Sequence, residues 1–226
     1  MTLTHTPAPA RRSYVEYAVH VASGLARHPG AITSIGAVFR HDPALGVSRP
    51  WWNRRAISYL DGQLRRGQQV FEWGSGGSTA WFAEKGTRVT SVEHNPEWVE
   101  KVRGLGLDAD VRAIPGTAAG AVEEPYLTHN LCAAENRYFD DYIAAIDECP
   151  GGSLDVVVVD GMCRAECFRR AIPKVRPGGL LIIDDSDMPP FRSLGRFVPG
   201  WEKKSFAGFK ASKDLRQTTF FRRPGE

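Results

Sequence analysis

The sequence has no apolar run that approaches the roughly 20 residues needed to span a bilayer; its longest, 156–159 and 180–183, fall far short. Residues 1–12 are rich in threonine, proline and alanine and end in Arg11-Arg12. They hold no apolar stretch of about 7–15 residues, so they read as a disordered tail and not as a secretory leader. Cysteine is scarce. Cys132, Cys149, Cys163 and Cys167 form no Cys-x-x-Cys pair, which argues against a structural zinc clip and for reduced thiols in a cytoplasmic protein. Neither sign of charge dominates: 29 Lys and Arg against 26 Asp and Glu leave +3. The arginine pairs 65–66, 169–170 and 222–223 stand far apart and build no basic block, so neither nucleic acid nor a membrane surface is expected as a partner. No internal repeat is visible.

What is present is 226 residues at 42% hydrophobic, enough for one domain with a full core. Residues 13–27 read as a helix with Tyr14, Tyr17, Ala18, Val21 and Leu25 on one face. Residues 51–65 read as a second, with Ala56, Ile57, Leu60 and Leu64 as its stripe. From Gln69 strands and helices alternate. Strands are expected at 69–73, 88–93, 109–114, 154–160 and 180–184, and helices at 78–85, 96–103, 138–147 and 164–175. An antiparallel pair is expected within 206–222. The segment 154–160 has the β-branched, unbroken apolar character of a strand buried on both faces. Repeated strand–helix units predict an α/β, doubly wound, Rossmann-like and mostly parallel sheet. The expected divisions are a tail (1–12), an N-terminal helical cap or lid (13–66) and the α/β domain (67–226).

Such sheets bind ligands at the carboxyl ends of their strands. The first of these is Glu72-Trp73-Gly74-Ser75-Gly76-Gly77-Ser78. Glycines let a backbone turn tightly and approach a ligand closely, and the helix that follows offers unpaired N–H groups. Glu93 ends the next strand, where a carboxylate accepts bonds from both hydroxyls of a ribose. The pair suits a nucleoside-containing cofactor. A dinucleotide fold asks for Gly-x-Gly-x-x-Gly, and here Thr79 stands at the last position. S-Adenosylmethionine carries an ammonium and a sulfonium in place of phosphates, which favours a carboxylate at the turn, and Glu72 stands there.

The segment 70–78 resembles motif I of the class I S-adenosylmethionine-dependent methyltransferases. Ser91-Val92-Glu93-His94-Asn95 resembles the second motif, the segment 155–161 the fourth strand, and the segment 176–185 the fifth. The resemblance covers about residues 50–222. It implies a seven-stranded sheet with a reversed C-terminal hairpin, and a cofactor held by Glu72, Gly74, Ser75, Gly76, Ser78, Thr79, Glu93 and Asp160. His94 would lie along the adenine or ribose. The family often places an acid near the adenine after the third strand; this sequence has none there, and the backbone around Thr117 and Ala118 is expected to serve instead.

Asp160, Asp184, Asp185 and Asp187 end two strands that lie side by side in this fold. Converging carboxylates repel unless a cation sits among them, and hard oxygen ligands suit Mg²⁺ or Ca²⁺. The arrangement is similar to the metal site of catechol and macrocin-type sugar O-methyltransferases. Carried over, Asp160, Asp184 and Asp185 would be the ligands of a Mg²⁺ that lowers the pKa of the acceptor hydroxyl. Where catechol methyltransferases carry a lysine, three residues after the first acid, this sequence has Cys163. Asp160 and Asp184, with or without metal, are the expected activating groups. His41 and His94 are histidines of the kind that serve as general bases. Trp51 and Trp52 would wall the acceptor site, and Arg164 would anchor an anionic substrate or an internal carboxylate.

These observations predict methyl transfer from S-adenosylmethionine to a small molecule, an O-methyltransferase of natural-product, sugar or phenol type. A metal-independent N-methyltransferase, an NAD-dependent oxidoreductase and a non-catalytic nucleoside-binding protein stay open. The oligomeric state is not legible, a homodimer being one option.

Overall fold

The computed structural model describes residues 14–32, 48–119, 131–132, 136–210 and 214–225. Two helices, α1 (Tyr14–Arg27) and α2 (Arg54–Asp61), precede an alternating series: β1 (Gln69–Trp73), α3 (Gly77–Glu84), β2 (Arg88–Glu93), α4 (Pro96–Arg103) and β3 (Ala109–Ala113). Three two-residue strands follow, β4 (Thr117–Ala118), β5 (Leu131–Cys132) and β6 (Arg137–Tyr138). The chain continues through α5 (Asp140–Ala144), β7 (Leu154–Val159), α6 (Arg164–Ala171), β8 (Val175–Ile183), β9 (Glu202–Phe209) and β10 (Leu215–Arg222). The main sheet has seven strands in the order β3-β2-β1-β7-β8-β10-β9. The first five of that order are parallel; β10 runs antiparallel to both β8 and β9. This is the expected Rossmann-like sheet with its C-terminal hairpin.

Period-two alternation divides the core. Val156 and Val158 of β7 join Val70, Leu180, Ile182 and Phe220 under α2 and α3. Val157 and Val159 join Phe71, Trp73, Leu181 and Ile183 under α5 and α6. Both layers are buried, which is why β7 reads as an unbroken valine run.

Three local differences from the sequence reading have physical causes. First, α2 begins at Arg54 and not at Trp51. Asn53 is its cap: Oδ1 accepts the Ala56 N–H at 3.1 Å, while Nδ2 donates to the Phe206 carbonyl at 2.8 Å. Second, β8 starts at Val175 and runs through Pro177-Gly178-Gly179, because the C-terminal segment supplies partners there: Gly178 N–H donates to Arg223 O and Arg223 N–H to Gly179 O, each at 3.0 Å. Third, Arg137 and Tyr138 form β6 in a small sheet ordered β4-β6-β5, so the helix expected from 138 begins at Asp140 and tightens into a 3₁₀ turn over Ala145–Glu148. Among the described residues no helix is long and apolar enough to cross a membrane.

Because β1, β2, β7 and β8 are parallel, their carboxyl ends share one rim of the sheet. Gly74, Glu93, Asp160 and Asp184 follow or end those strands.

Candidate functional site

A cleft of about 470 Å³ opens at that rim. Gly74, Ser75, Gly76, Gly77 and Ser78 form one wall, Glu93, His94 and Trp98 another, and Trp51, Asp160, Met162 and Arg164 the rest. The volume falls in the range of about 300–1,000 Å³ typical of small-molecule sites.

The glycine turn is shaped by its surroundings. Gly74 has φ +96°, and a Cβ there would lie 3.0 Å from the backbone of Asp160 and Gly161. Gly74→Ala is therefore expected to cost about 1–3 kcal/mol of stability, read from the urea midpoint; an unchanged midpoint would contradict this account of the turn. At Gly76 the constraint differs. A Cβ there would have only the Trp98 indole near it, at 3.9 Å, so it would project into the cleft. Among the described residues the buried Ser75 hydroxyl has no hydrogen-bond partner, an unusual state for a buried polar atom, and Ser75 lines the cleft.

Glu72 lies beneath this turn, wholly buried. It accepts the Ser78 hydroxyl at 2.8 Å and the Thr79 hydroxyl by a short bond, and Thr79 Oγ1 in turn accepts the Gly76 N–H at 2.9 Å. Burial raises the Glu72 carboxyl to about 7, with the Thr79 and Ser78 hydroxyls pulling it down. Glu72 and Thr79 thus hold the loop from below and do not line the cleft.

Glu93 does face the cleft. Its Oε2 accepts the Ser75 N–H at 3.2 Å and its Oε1 the Asn95 N–H at 2.9 Å, with His94 Nδ1 2.7 Å from Oε1. The Trp98 indole N–H donates to the Ser75 carbonyl at 2.8 Å. Carboxylate, imidazole and indole are thereby fixed relative to the glycine turn.

The expected acid cluster forms: Asp160, Asp184 and Asp185 place carboxylate oxygens within 4.8 Å of one another. What lies among them is the ammonium of Lys210, which bonds Asp184 Oδ2 and, at 2.9 Å, Asp185 Oδ1. The other oxygens are also engaged. Asp184 Oδ1 accepts the Thr218 hydroxyl at 2.6 Å. Asp185 Oδ2 faces Arg164 Nη1 at 3.2 Å, Asp160 Oδ1 faces Arg164 Nη2 at 3.0 Å, and Asp160 Oδ2 accepts the Trp52 indole N–H at 3.0 Å. Burial works against the Lys210 ammonium, but the charges of Asp184, Asp160 and Asp185 outweigh it and raise its pKa. Burial likewise opposes ionisation of Asp185, and Lys210 and Arg164 reverse that, holding it below the usual carboxylate range. The donor set does not fit a divalent ion: all six carboxylate oxygens already face protein donors, and a buried cation already balances them.

A family model described as a methyltransferase domain matches residues 71–186. The chain belongs to the class I S-adenosylmethionine-dependent methyltransferases. Solved structures share the fold. A methyltransferase-like protein from Silicibacter pomeroyi is 22% identical with a TM-score of 0.55, over 78% of this chain and 89% of that one. An O-methyltransferase from Bacillus cereus, solved with S-adenosylhomocysteine, is 16% identical with a TM-score of 0.53, over 89% and 90%. A putative O-methyltransferase from Klebsiella pneumoniae is 16% identical with a TM-score of 0.52, over 92% and 97%. No curated protein matches the chain.

In this methyltransferase Gly74, Ser75, Gly76, Ser78, Glu93, His94, Asp160, Trp51 and Arg164 meet at one cleft, as the sequence predicts. Others do not reach it. Thr117 is exposed on β4 and is no part of the cleft. Trp52 is 3% exposed; its ring packs edge-on to Phe220 while its N–H holds Asp160. Trp51, the neighbour on the cleft wall, is 41% exposed. Asp184 is fully buried beneath Lys210 and Thr218, so it has no access to an acceptor. Asp185, also expected at the acceptor, is spent on Lys210 and Arg164. Arg164 lines the cleft, but its guanidinium donates to the carbonyls of Gly161, Asp184 and Asp160 and faces two carboxylates. It is a brace across the ends of β7 and β8, not a substrate anchor. His41 lies outside the described residues. The sequence reading missed Met162 on the cleft wall and Lys210 in the acid cluster; neither sits in a recognisable local pattern.

Proposed function

We propose that this methyltransferase moves a methyl group from S-adenosylmethionine to an oxygen of a small molecule. The observation that carries the cofactor reading is the cleft wall itself, where a glycine turn, its Ser75 hydroxyl without a partner among the described residues, faces two carboxylates, Glu93 and Asp160. Glu93 would accept the ribose hydroxyls, the backbone at Gly74 and Gly76 leaves room for close approach, and Trp98 offers a flat apolar wall. Asp160 is the one acid of its cluster on the cleft, where it favours a cationic group. When bound, the cofactor supplies a methyl group on a sulfonium, ready for in-line displacement. The chain's own contribution is alignment and exclusion of water, the main source of acceleration in such a transfer.

An oxygen acceptor is supported by Asp160, whose carboxylate faces the cleft as a hydrogen-bond acceptor for a hydroxyl, and by the O-methyltransferases among the proteins that share the fold. Arg164 and Trp52 hold Asp160 in that pose. No step calls on a metal ion.

The test is isothermal titration with S-adenosylhomocysteine. Wild type should bind it, and Glu93→Ala should weaken binding by at least about tenfold, the equivalent of one charge-assisted hydrogen bond. EDTA should leave both results unchanged. Wild type that binds NAD and not S-adenosylhomocysteine would overturn the assignment.

A further inference from the structure

A second cavity, of about 340 Å³, borders the loop that follows β8. Three cations line it, Arg27, Arg192 and Lys203, together with the His28 imidazole, against one carboxylate, Asp187. That carboxylate is already engaged: Oδ1 accepts the Gln217 N–H at 3.0 Å and Oδ2 lies 3.9 Å from Arg216. Among the described residues the three cations form no ion pair. This contrasts with Arg112, Arg164, Arg170 and Arg176, each of which meets an acid within 3.0 Å. Like charges gathered without a counter-ion repel one another, and an anion placed among them removes that repulsion.

Part of the lining is apolar, beside the polar Ser186, Gln217 and Thr219. Ile183, Phe191 and Phe221 line the cavity, and the Lys203 ammonium stands 6.0 Å above the Phe221 ring. Phe191 also lies 5.9 Å from the Arg164 guanidinium, yet the cavity and the cleft have no lining residue in common. Cationic and aromatic side chains together select an anion with an apolar body over a bare inorganic one.

We infer that this cavity is a binding site for a small organic anion, an aromatic or aliphatic phosphate or carboxylate, held by Arg27, Arg192 and Lys203 over Phe191 and Phe221. The site lies apart from the cofactor cleft, and its test does not depend on methyl transfer.

The experiment is isothermal titration at low ionic strength with phenyl phosphate and, separately, inorganic phosphate. Wild type and the double variant Arg192→Gln/Lys203→Gln are compared. Both changed residues are solvent-exposed, so the fold should persist. Phenyl phosphate should bind wild type in a saturable manner and more tightly than inorganic phosphate. The double variant should lose at least roughly tenfold in affinity for it. S-Adenosylhomocysteine titrated into the same double variant should bind as in wild type, which separates this site from the cleft. No saturable binding, equal binding by the double variant, or a preference for inorganic phosphate would each overturn the inference.

Discussion

Replacing Glu72 with glutamine should stabilise this methyltransferase at pH 8 and leave its stability unchanged near pH 4. Glu72 is fully buried, and its carboxyl is raised from 4.5 to about 7. Between those two values the folded chain keeps a proton that the unfolded chain has released. Stability therefore falls as pH rises through that window, and by pH 8 the loss is about 3 kcal/mol. Glutamine mimics the protonated acid: its carbonyl accepts from Thr79 and its amide donates to Ser78, so the loop keeps both contacts. Urea midpoints measured from pH 4 to pH 8 should diverge, the variant ending higher by about 3 kcal/mol. Parallel profiles would mean that Glu72 is ionised in the folded protein.

The opposite sign is expected at Lys210. Its side chain is 9% exposed, and its ammonium faces Asp184, which is fully buried. Lys210→Met leaves the buried Asp184 carboxylate without its cation, while Asp185 keeps Arg164, and losing one partner of such a buried pair costs roughly 3–5 kcal/mol. Adding Asp184→Asn should recover part of that loss, because the uncompensated charge is removed. The same variants test the disagreement with a metal site. Terbium luminescence excited through Trp52, whose indole N–H lies 3.0 Å from Asp160 Oδ2, should be absent in wild type and appear in Lys210→Met. Wild-type luminescence abolished by Asp160→Asn would show that the acids accept a metal despite Lys210.

The parts of this molecule that were legible in the sequence are those whose physics is local or periodic. The valines of β7 face two buried layers, and an unbroken β-branched run is what that requires. The turn at Gly74 announces itself because only glycine fits φ +96° so close to another backbone. Thr79 was only half legible. It occupies the place of a third glycine, but its work is to accept the Gly76 N–H, a capping contact three residues away that its position signals. The acids were readable as a convergence, since parallel strands bring their ends together. Their cation was not, because Lys210 arrives from a hairpin 26 residues after Asp184, and no local spacing links the two. Arg164 misled for a related reason. A lone arginine at a strand end looks the same whether it awaits a ligand or ties three carbonyls, and only the strand ends it spans decide which.

The hairpin that carries Lys210 follows the parallel strands in chain order. The parallel strands β1, β2, β7 and β8 precede it, and their pairing, such as Trp73 beside Val159, already joins distant segments. Until β9 and β10 dock, β8 is an open edge and the acids at its end lack the lysine that neutralises them. Docking of the hairpin therefore covers the β8 edge and brings Lys210 to the acids in one event, so closure of the sheet and neutralisation of its acid cluster are a single step.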